Sequence, residues 1–281
     1  MNVRARTGVA LVLAVTVTLA APVSTYAWGP NAVRLITNKA VDTMPQEVLP
    51  FFEANRNFLV QHVTDPFDAL KKSPGDRKNE IILLDHYGQF PFRDLPRSYN
   101  AAVSKFTKRT LETYGLLPWE VGVFSARLTE AFKSHNWEDA RAAAAQLAFY
   151  VAAAHDPFNT TTNEDGKLSN QVGVSQRFGS SLVDRYQLFF FVHPNEATYI
   201  NDPTDHAFEM CLSAHSWLEN ILLADRRSKQ GQADYTDDYY DHFYSQAGAV
   251  LIRQISDAAT DTGSYWFTAW VNAGRPQLPS R

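Results

Sequence analysis

The stretch NWEDARAAAAQLAFYVAAA, residues 136–154, carries the strongest helical signal in the chain. Alanine has the highest helix propensity of the common residues, and the larger apolar residues here recur with helical spacing. Apolar side chains occupy more than one side of this segment, a pattern typical of a helix covered by several neighbours. We therefore predict a helix over residues 136–154 that is buried on several sides.

Helical spacing continues on both sides of this stretch. Val33, Ile36 and Ala40 lie three and four residues apart, and Pro45 ends that run. Alternation of apolar and polar residues is nowhere sustained, so few strands or none are expected. With no repeat and no Gly/Ser-rich linker, residues 28–281 are predicted to form one all-α domain. The other predicted segments are helices over 31–44, 48–60, 97–114, 118–135, 176–190, 205–225, 237–259 and 262–273, and a polar loop over 159–171.

The composition is that of a globular protein. Of 281 residues, 45% are hydrophobic and 13% aromatic, which argues against disorder. The formal net charge of −4 excludes a strongly basic nucleic-acid clamp, so no stable complex with nucleic acid is expected. Cys211 is the single cysteine, which rules out an intramolecular disulfide and a cysteine-based zinc site.

The first 27 residues have the pattern of a secretory signal peptide. Arg4 and Arg6 precede an apolar run over 9–21, and Thr25-Tyr26-Ala27 is a small-residue cleavage site. Cleavage there would make Trp28 the new N-terminus. The apolar run is shorter than the ~20 residues of a spanning helix, although an uncleaved anchor is the alternative. We expect an exported protein, periplasmic or extracellular, with no integral membrane segment after cleavage.

Several motifs along the chain are similar to those of a known family. They are Trp28-Gly29, His62-Val63-Thr64-Asp65-Pro66, Asp85-His86-Tyr87, Gly115-Leu116-Leu117-Pro118-Trp119, Ala154-His155-Asp156-Pro157, Arg177-Phe178 and Trp266-Phe267-Thr268-Ala269-Trp270. Through them the chain resembles the zinc-dependent phospholipase C and single-strand-specific nuclease family. The resemblance implies a secreted, all-α phosphodiesterase in which an N-terminal Trp, five His, two Asp and one Glu hold three zinc ions. Such clustered zinc activates water and neutralises charge on the phosphoryl oxygens.

The family's ligand set carries over only in part. Trp28 matches the N-terminal ligand, Asp65 the first Asp and His86 the second His. The remaining six side-chain ligands are replaced. The residues at those positions are Val33, Phe149, Ala153, Asn159, Ser175 and Gly179.

Three hypotheses follow from this partial match. The first is a non-catalytic protein that binds a small molecule or phosphoester through the ancestral cleft. The second is a phosphoric-ester hydrolase with at most one zinc ion, held by Trp28, Asp65 and His86, in which Asp65 is the catalytic candidate and metal-bound hydroxide the nucleophile. In the first case Asp65 and His86 are expected to form a hydrogen-bonded pair without metal. The third is a secreted lipid- or ligand-binding module.

Other polar residues are expected to have structural roles. His62 is three residues from Asp65 and could join it, but a surface or capping role is favoured. A buried hydrogen-bonding role is favoured for His155. The acidic run 237–242 is expected to complement a helix dipole. Asp202, Asp205, His206 and Glu209 are at helical spacing, and solvation is favoured over metal binding for them.

Overall fold

The protein is described by a computed structural model over residues 28–231 and 233–279, so the predicted signal peptide, residues 1–27, lies outside the described residues. The described chain is all-α, as predicted, with no strand in either of these two ranges. Its α-helices are α1 Pro30–Val41, α2 Leu49–His62, α3 Asp65–Lys72, α4 Tyr99–Phe106, α5 Lys108–Tyr114, α6 Leu117–Lys133, α7 Trp137–Ala154, α8 Val174–Gln176, α9 Leu182–Tyr186, α10 Pro203–His215, α11 Leu218–Lys229 and α12 Asp237–Asn272.

Helix α7 lies at the centre of the helical packing. It contacts α1, α2, α6, α10 and α12, and its buried residues lie on several sides of the helix. The predicted burial on several sides is therefore confirmed. Asn136 caps its first turn by accepting a hydrogen bond from the Asp139 N–H, which satisfies one of the free donors at the helix start.

Two predicted helices are each divided in the structure. Residues 97–114 break at Thr107, whose φ of 69° is incompatible with a continuous helix, and the Thr107 hydroxyl caps α5. Residues 205–225 break at Ser216 and Trp217, between α10 and α11. Neither break contains Gly or Pro, so no local signal marked them.

Near the end of the chain, two predicted helices are joined into one. Residues 237–259 and 262–273 belong to one helix, α12, because Asp261 forms side-chain ion pairs and does not end the helix. Its first turn contains the acidic residues Asp237 and Asp238, as predicted, and the Thr236 hydroxyl caps it. Gly263 in α12 allows close contact with the end of α1 and the turn after it, since a Cβ there would lie 3.2 Å from the Ala40 carbonyl oxygen and 1.9 Å from Thr43 Oγ1.

Predicted helix 176–190 is irregular. A π-helical turn, Arg177–Ser181, separates α8 from α9, and the 3₁₀ turn Gln187–Phe189 follows α9. Two further 3₁₀ helices interrupt the predicted polar loop over 159–171. Pro157–Thr160 overlaps its start, and Glu164–Ser169 lies within it.

Residues 190–200, which contain no helix or strand, run along α12 and are held by a row of hydroxyl groups. Four backbone N–H groups of this segment donate to Ser or Thr side chains spaced four residues apart on one face of α12. We call residues 190–200 the strap. The bonds join His193 to Ser256 (3.3 Å), Asn195 to Thr260 (2.9 Å), Thr198 to Ser264 (3.0 Å) and Ile200 to Thr268 (2.8 Å).

Replacing Thr268 with valine should destabilise the protein. Ile200 and Thr268 are both buried, so Thr268→Val leaves the Ile200 N–H without its acceptor. A buried unsatisfied donor costs roughly 1–3 kcal/mol, which denaturant unfolding would measure. The matched control is Thr129→Val in α6, whose hydroxyl bonds only to the Ser125 carbonyl one turn earlier. Equal losses in the two variants would show that the strap contact contributes nothing.

Candidate functional site

Several of the positions that match zinc ligands come from distant parts of the sequence and lie around the C-terminal end of α7. The Trp28 Nε1–H donates to the Ala152 carbonyl at 2.8 Å, and the Gly29 N–H donates to Gly179 O at 3.2 Å. The ring of Phe67 in α3 lies edge-on to Phe149 in α7, with centroids 5.1 Å apart. Helices α1, α3 and α7 and the π-helical turn are thus joined at one place.

The loop that carries His86 is fixed to the same place. The Ile82 N–H donates to the Asn159 carbonyl at 2.8 Å, and the Asn159 side-chain amide donates to the Ala153 carbonyl at 3.0 Å. The Asp85 carboxylate accepts hydrogen bonds from Thr161 and Thr162, at 2.7 Å from the Thr161 hydroxyl. The residues before His86 are therefore tied to the segment that follows α7.

Four of the positions that match zinc ligands hold residues whose side chains offer no metal-binding atom. Val33, Phe149 and Ala153 are 1%, 3% and 6% exposed, and Gly179 is buried in the π-helical turn. Hydrocarbon groups offer zinc neither nitrogen nor oxygen. The ring of Phe149 packs against Phe67. An apolar cluster thus occupies positions at which the resemblance implies ligands.

The polar replacements bond within the protein. The Ser175 hydroxyl donates to Asp165 Oδ1 at 2.6 Å, and Asn159 bonds to Ala153 as described. Across the described ranges 28–231 and 233–279, no group of three or more His, Cys, Asp or Glu side chains is arranged to hold a metal ion. The donor set therefore does not fit a three-zinc cluster.

The three retained candidates, Trp28, Asp65 and His86, each contact other residues. Trp28 is buried, and its ring lies 6.1 Å from that of Phe178. Asp65 is the first residue of α3, with its side chain 64% exposed, and His86 is exposed and stacks on Tyr114. Their joint role as a single-zinc site remains a prediction.

Asp65 pairs with His62. His62 Nδ1 and Asp65 Oδ2 lie 2.8 Å apart, across the junction of α2 and α3. His62 thus bonds to Asp65, and with 38% of its side chain exposed in the last turn of α2 it also lies at the surface, as expected. The expected partner of Asp65, His86, has Tyr114 as its stacking neighbour.

His155 forms part of a His–Asp–His bridge that spacing in the sequence did not reveal. Asp261 of α12 lies between His155, just after α7, and His206 of α10, at 2.9 Å and 2.8 Å. Burial raises the pKa of Asp261, but the hydrogen bonds from both imidazoles outweigh it and hold that pKa well below its usual range. The buried hydrogen-bonding role predicted for His155 is confirmed, and the bridge joins three helices.

Of the other acidic residues near His206, two pair with a cation and one caps a helix. Burial lowers the pKa of His206, but the hydrogen bond and charge of Asp261 raise it by more, so the net shift of this pKa is upward. Arg97 forms ion pairs with Asp205, at 2.5 Å, and with Glu209. Asp202 caps α10. These groups are thus engaged in ion pairs and a helix cap.

Two buried carboxyl groups lie close to the candidate site. Burial raises the pKa of Asp156, which follows α7, to about 7, although the backbone N–H groups of Phe158 and Trp28 lower it. Burial raises the pKa of Glu80 to about 8, an effect that Arg77 only partly offsets. Glu80 is 6% exposed, and its Oε1 has no hydrogen-bond partner among the described residues. The Glu80 side chain is therefore largely protonated at neutral pH.

A buried ion pair joins the π-helical turn to α11. Arg177 Nε and Nη2 donate to Asp225 Oδ1 at 3.1 Å and 2.9 Å, and the Tyr239 hydroxyl donates to the same oxygen. Gln171 Nε2 donates to Asp225 Oδ2 at 2.7 Å. Burial, together with the Asp225 carboxylate, raises the pKa of Tyr239, so its hydroxyl remains a donor. Both oxygens of Asp225 are thus satisfied.

Comparison with known proteins leaves the family open. No protein-family model matches the chain, and no curated protein matches it. Among the described helices, none combines the length and apolar character needed to cross a bilayer.

Proposed function

We propose that this chain is an exported, non-catalytic relative of the phospholipase C and nuclease family. In this proposal it keeps the family's helical fold and binds a small molecule or phosphoester at the surface around the end of α7. The observation that carries the proposal is the buried apolar cluster at Val33, Phe149 and Ala153. Zinc supplies the positive charge and the activated water for phosphodiester cleavage, and these side chains cannot bind it.

The polar side chains at the other matched positions form hydrogen bonds within the protein, which supports the same function. Ser175 and Asn159 bond to Asp165 and Ala153, and Asp65 bonds to His62. Because each of these polar groups has a partner inside the chain, the fold does not depend on a metal to satisfy them. The side chains that remain exposed, Asp65 and His86, are available to a ligand.

Metal content and activity test this proposal. The full chain is expressed with its export signal, purified without chelator, and analysed for zinc per chain and for its N-terminal sequence. We expect no stoichiometric zinc, the same melting temperature with and without EDTA, and no hydrolysis of bis(p-nitrophenyl) phosphate.

Asp65→Ala and Asp68→Ala are the matched variants, since both residues are exposed aspartates of α3 and Asp68 pairs with Lys71. One zinc ion per chain, lost in Asp65→Ala and kept in Asp68→Ala, would contradict the proposal and establish the single-metal hydrolase. About three zinc ions per chain would show that other side chains have rebuilt the cluster.

A further inference from the structure

A cavity of about 530 Å³ lies between the end of α11 and the segment after the 3₁₀ helix Glu164–Ser169. This volume is within the range of small-molecule sites. None of the six replaced zinc positions lines it, and neither do Trp28, Asp65 or His86. The described residues that line it include Gln171, Asp225, Arg226, Arg227, Lys229 and Tyr235.

The cavity is positively charged. Among its described lining residues Asp225 is the single acid, and the buried ion pair with Arg177 neutralises that charge. Both Asp225 oxygens are already occupied by protein donors, so this carboxylate cannot also neutralise the lining cations. The charges of Arg226, Arg227 and Lys229 are therefore uncompensated within the cavity.

Two of these cations have guanidinium groups with free donor capacity. Arg226 has one long contact, 3.5 Å from Nη2 to Gln171 Oε1. Within residues 28–231 and 233–279, the Arg227 side chain makes no ion pair or hydrogen bond. Both residues are exposed. A planar guanidinium with several free N–H groups matches the oxygens of a phosphate group.

The remaining walls restrict what can enter. Lys229 donates to the Ala233 carbonyl at 2.6 Å and lies 4.4 Å from the centre of the Tyr235 ring. The Arg177 guanidinium lies 4.0 Å from the same ring, which fixes Tyr235 through two cations. Ser169, Asn170 and Gln171 add hydroxyl and amide groups. The lining is thus cationic and rich in hydrogen-bonding groups.

The helix dipole of α11 explains in part why cations are found at this end of the helix. A cation in the last turn of a helix is stabilised by roughly 0.3–1 kcal/mol, and α11 has three there, Arg226, Arg227 and Lys229. However, Arg226 and Lys229 are three residues apart on α11, a spacing at which like charges repel one another. The one acid among the described lining residues, Asp225, is already paired with Arg177 and does not offset this repulsion. A bound anion would remove it.

We propose that this cavity binds a small soluble anion of the pyrophosphate type, held chiefly by Arg226 and Arg227. Two adjacent phosphate groups carry several negative charges and enough oxygens to accept from both guanidinium groups. Binding at this site needs no metal and is independent of the function proposed for the surface around α7.

Calorimetric titration of the full chain with inorganic pyrophosphate, in low-salt buffer containing EDTA, tests the proposal. We expect saturable binding to one site, at least tenfold weaker in 300 mM NaCl because salt screens the charges. In Arg226→Gln/Arg227→Gln the affinity should fall at least tenfold. These residues are exposed, so the circular dichroism spectrum should match that of the wild type, and the melting temperature should fall no further than in a control that also loses two cations from the last turns of helices.

The matched control is Lys72→Gln/Lys133→Gln, which also removes two exposed cations from the last turns of helices, here α3 and α6. Its affinity should stay within twofold of the wild type, and so should that of Asp65→Ala. No saturable binding by the wild type, or an equal loss in the lysine control, would overturn the proposal. Loss of binding in Asp65→Ala alone would place the anion at the other surface and would equally overturn it.

Discussion

Replacing Arg177 with methionine should lower the free energy of unfolding by roughly 3–5 kcal/mol. The Asp225 carboxylate is almost fully buried, and Arg177 is the cation beside it. Arg177→Met leaves that carboxylate with the Tyr239 hydroxyl and the Gln171 amide as donors but without a compensating charge. The loss should be visible as a lower denaturant midpoint with an unchanged slope.

The matched control for this prediction is Arg253→Met in α12. Arg253 pairs with Asp257 at 3.5 Å, and its side chain is 61% exposed, so solvent screens the pair. Exposed pairs contribute about 0–1 kcal/mol. A loss below about 1 kcal/mol in Arg177→Met, similar to that of Arg253→Met, would show that the buried pair does not hold the π-helical turn to α11.

Replacing Glu80 with glutamine should change how stability depends on pH. The pKa of Glu80 is raised from 4.5 to about 8 in the folded protein. Between these values the folded state holds a proton that the unfolded state has released, so wild-type stability falls as pH rises from about 4.5 to 8. Glutamine carries no charge at any pH, so Glu80→Gln should be more stable than the wild type at pH 9.

The size of this effect follows from the shift. At 1.36 kcal/mol per pKa unit, Glu80 contributes a difference of several kcal/mol between pH 4.5 and 9, at most about 5. The two proteins should converge near pH 4.5. Asp156, with a pKa raised to about 7, acts in the same direction at lower pH, so some dependence should remain in the variant.

Urea unfolding at intervals from pH 4.5 to 9 would measure both curves. Ile81→Val is the control, because it trims a buried side chain next to Glu80 without changing any charge. It should lower stability by about 0.5–1.5 kcal/mol at every pH. Parallel curves for wild type and Glu80→Gln above pH 6 would contradict the assignment of a protonated, buried Glu80.

The fold class was predictable because helical periodicity is local. The apolar pattern of α7 and the end of α1 before Pro45 are recorded in neighbouring residues, and the structure contains both helices. The break at Thr107 and the continuity of α12 through Asp261 were not predicted. The first depends on a positive φ at a residue that rarely adopts one, and the second on Asp261 finding two imidazole partners.

The candidate site was likewise predictable from the sequence only in part. Reading residue types at matched positions was enough to show that Val33, Phe149 and Ala153 cannot bind zinc. The pairing of Asp65 with His62, and the meeting of several matched positions around α7, could be seen only in the packed structure.

Residue types and spacing alone determine that this chain is all-α and which side chains stand at the six positions where the resemblance implies zinc ligands, because both properties belong to short segments. The packing of distant helices determines the Asp225–Arg177 pair, the His–Asp–His bridge, the strap and the cationic cavity. Their partners are separated by 48 residues for Arg177 and Asp225 and by 106 for His155 and Asp261. Periodicity shows which face of a helix is buried, whereas the partner of a buried polar group depends on which helix covers that face.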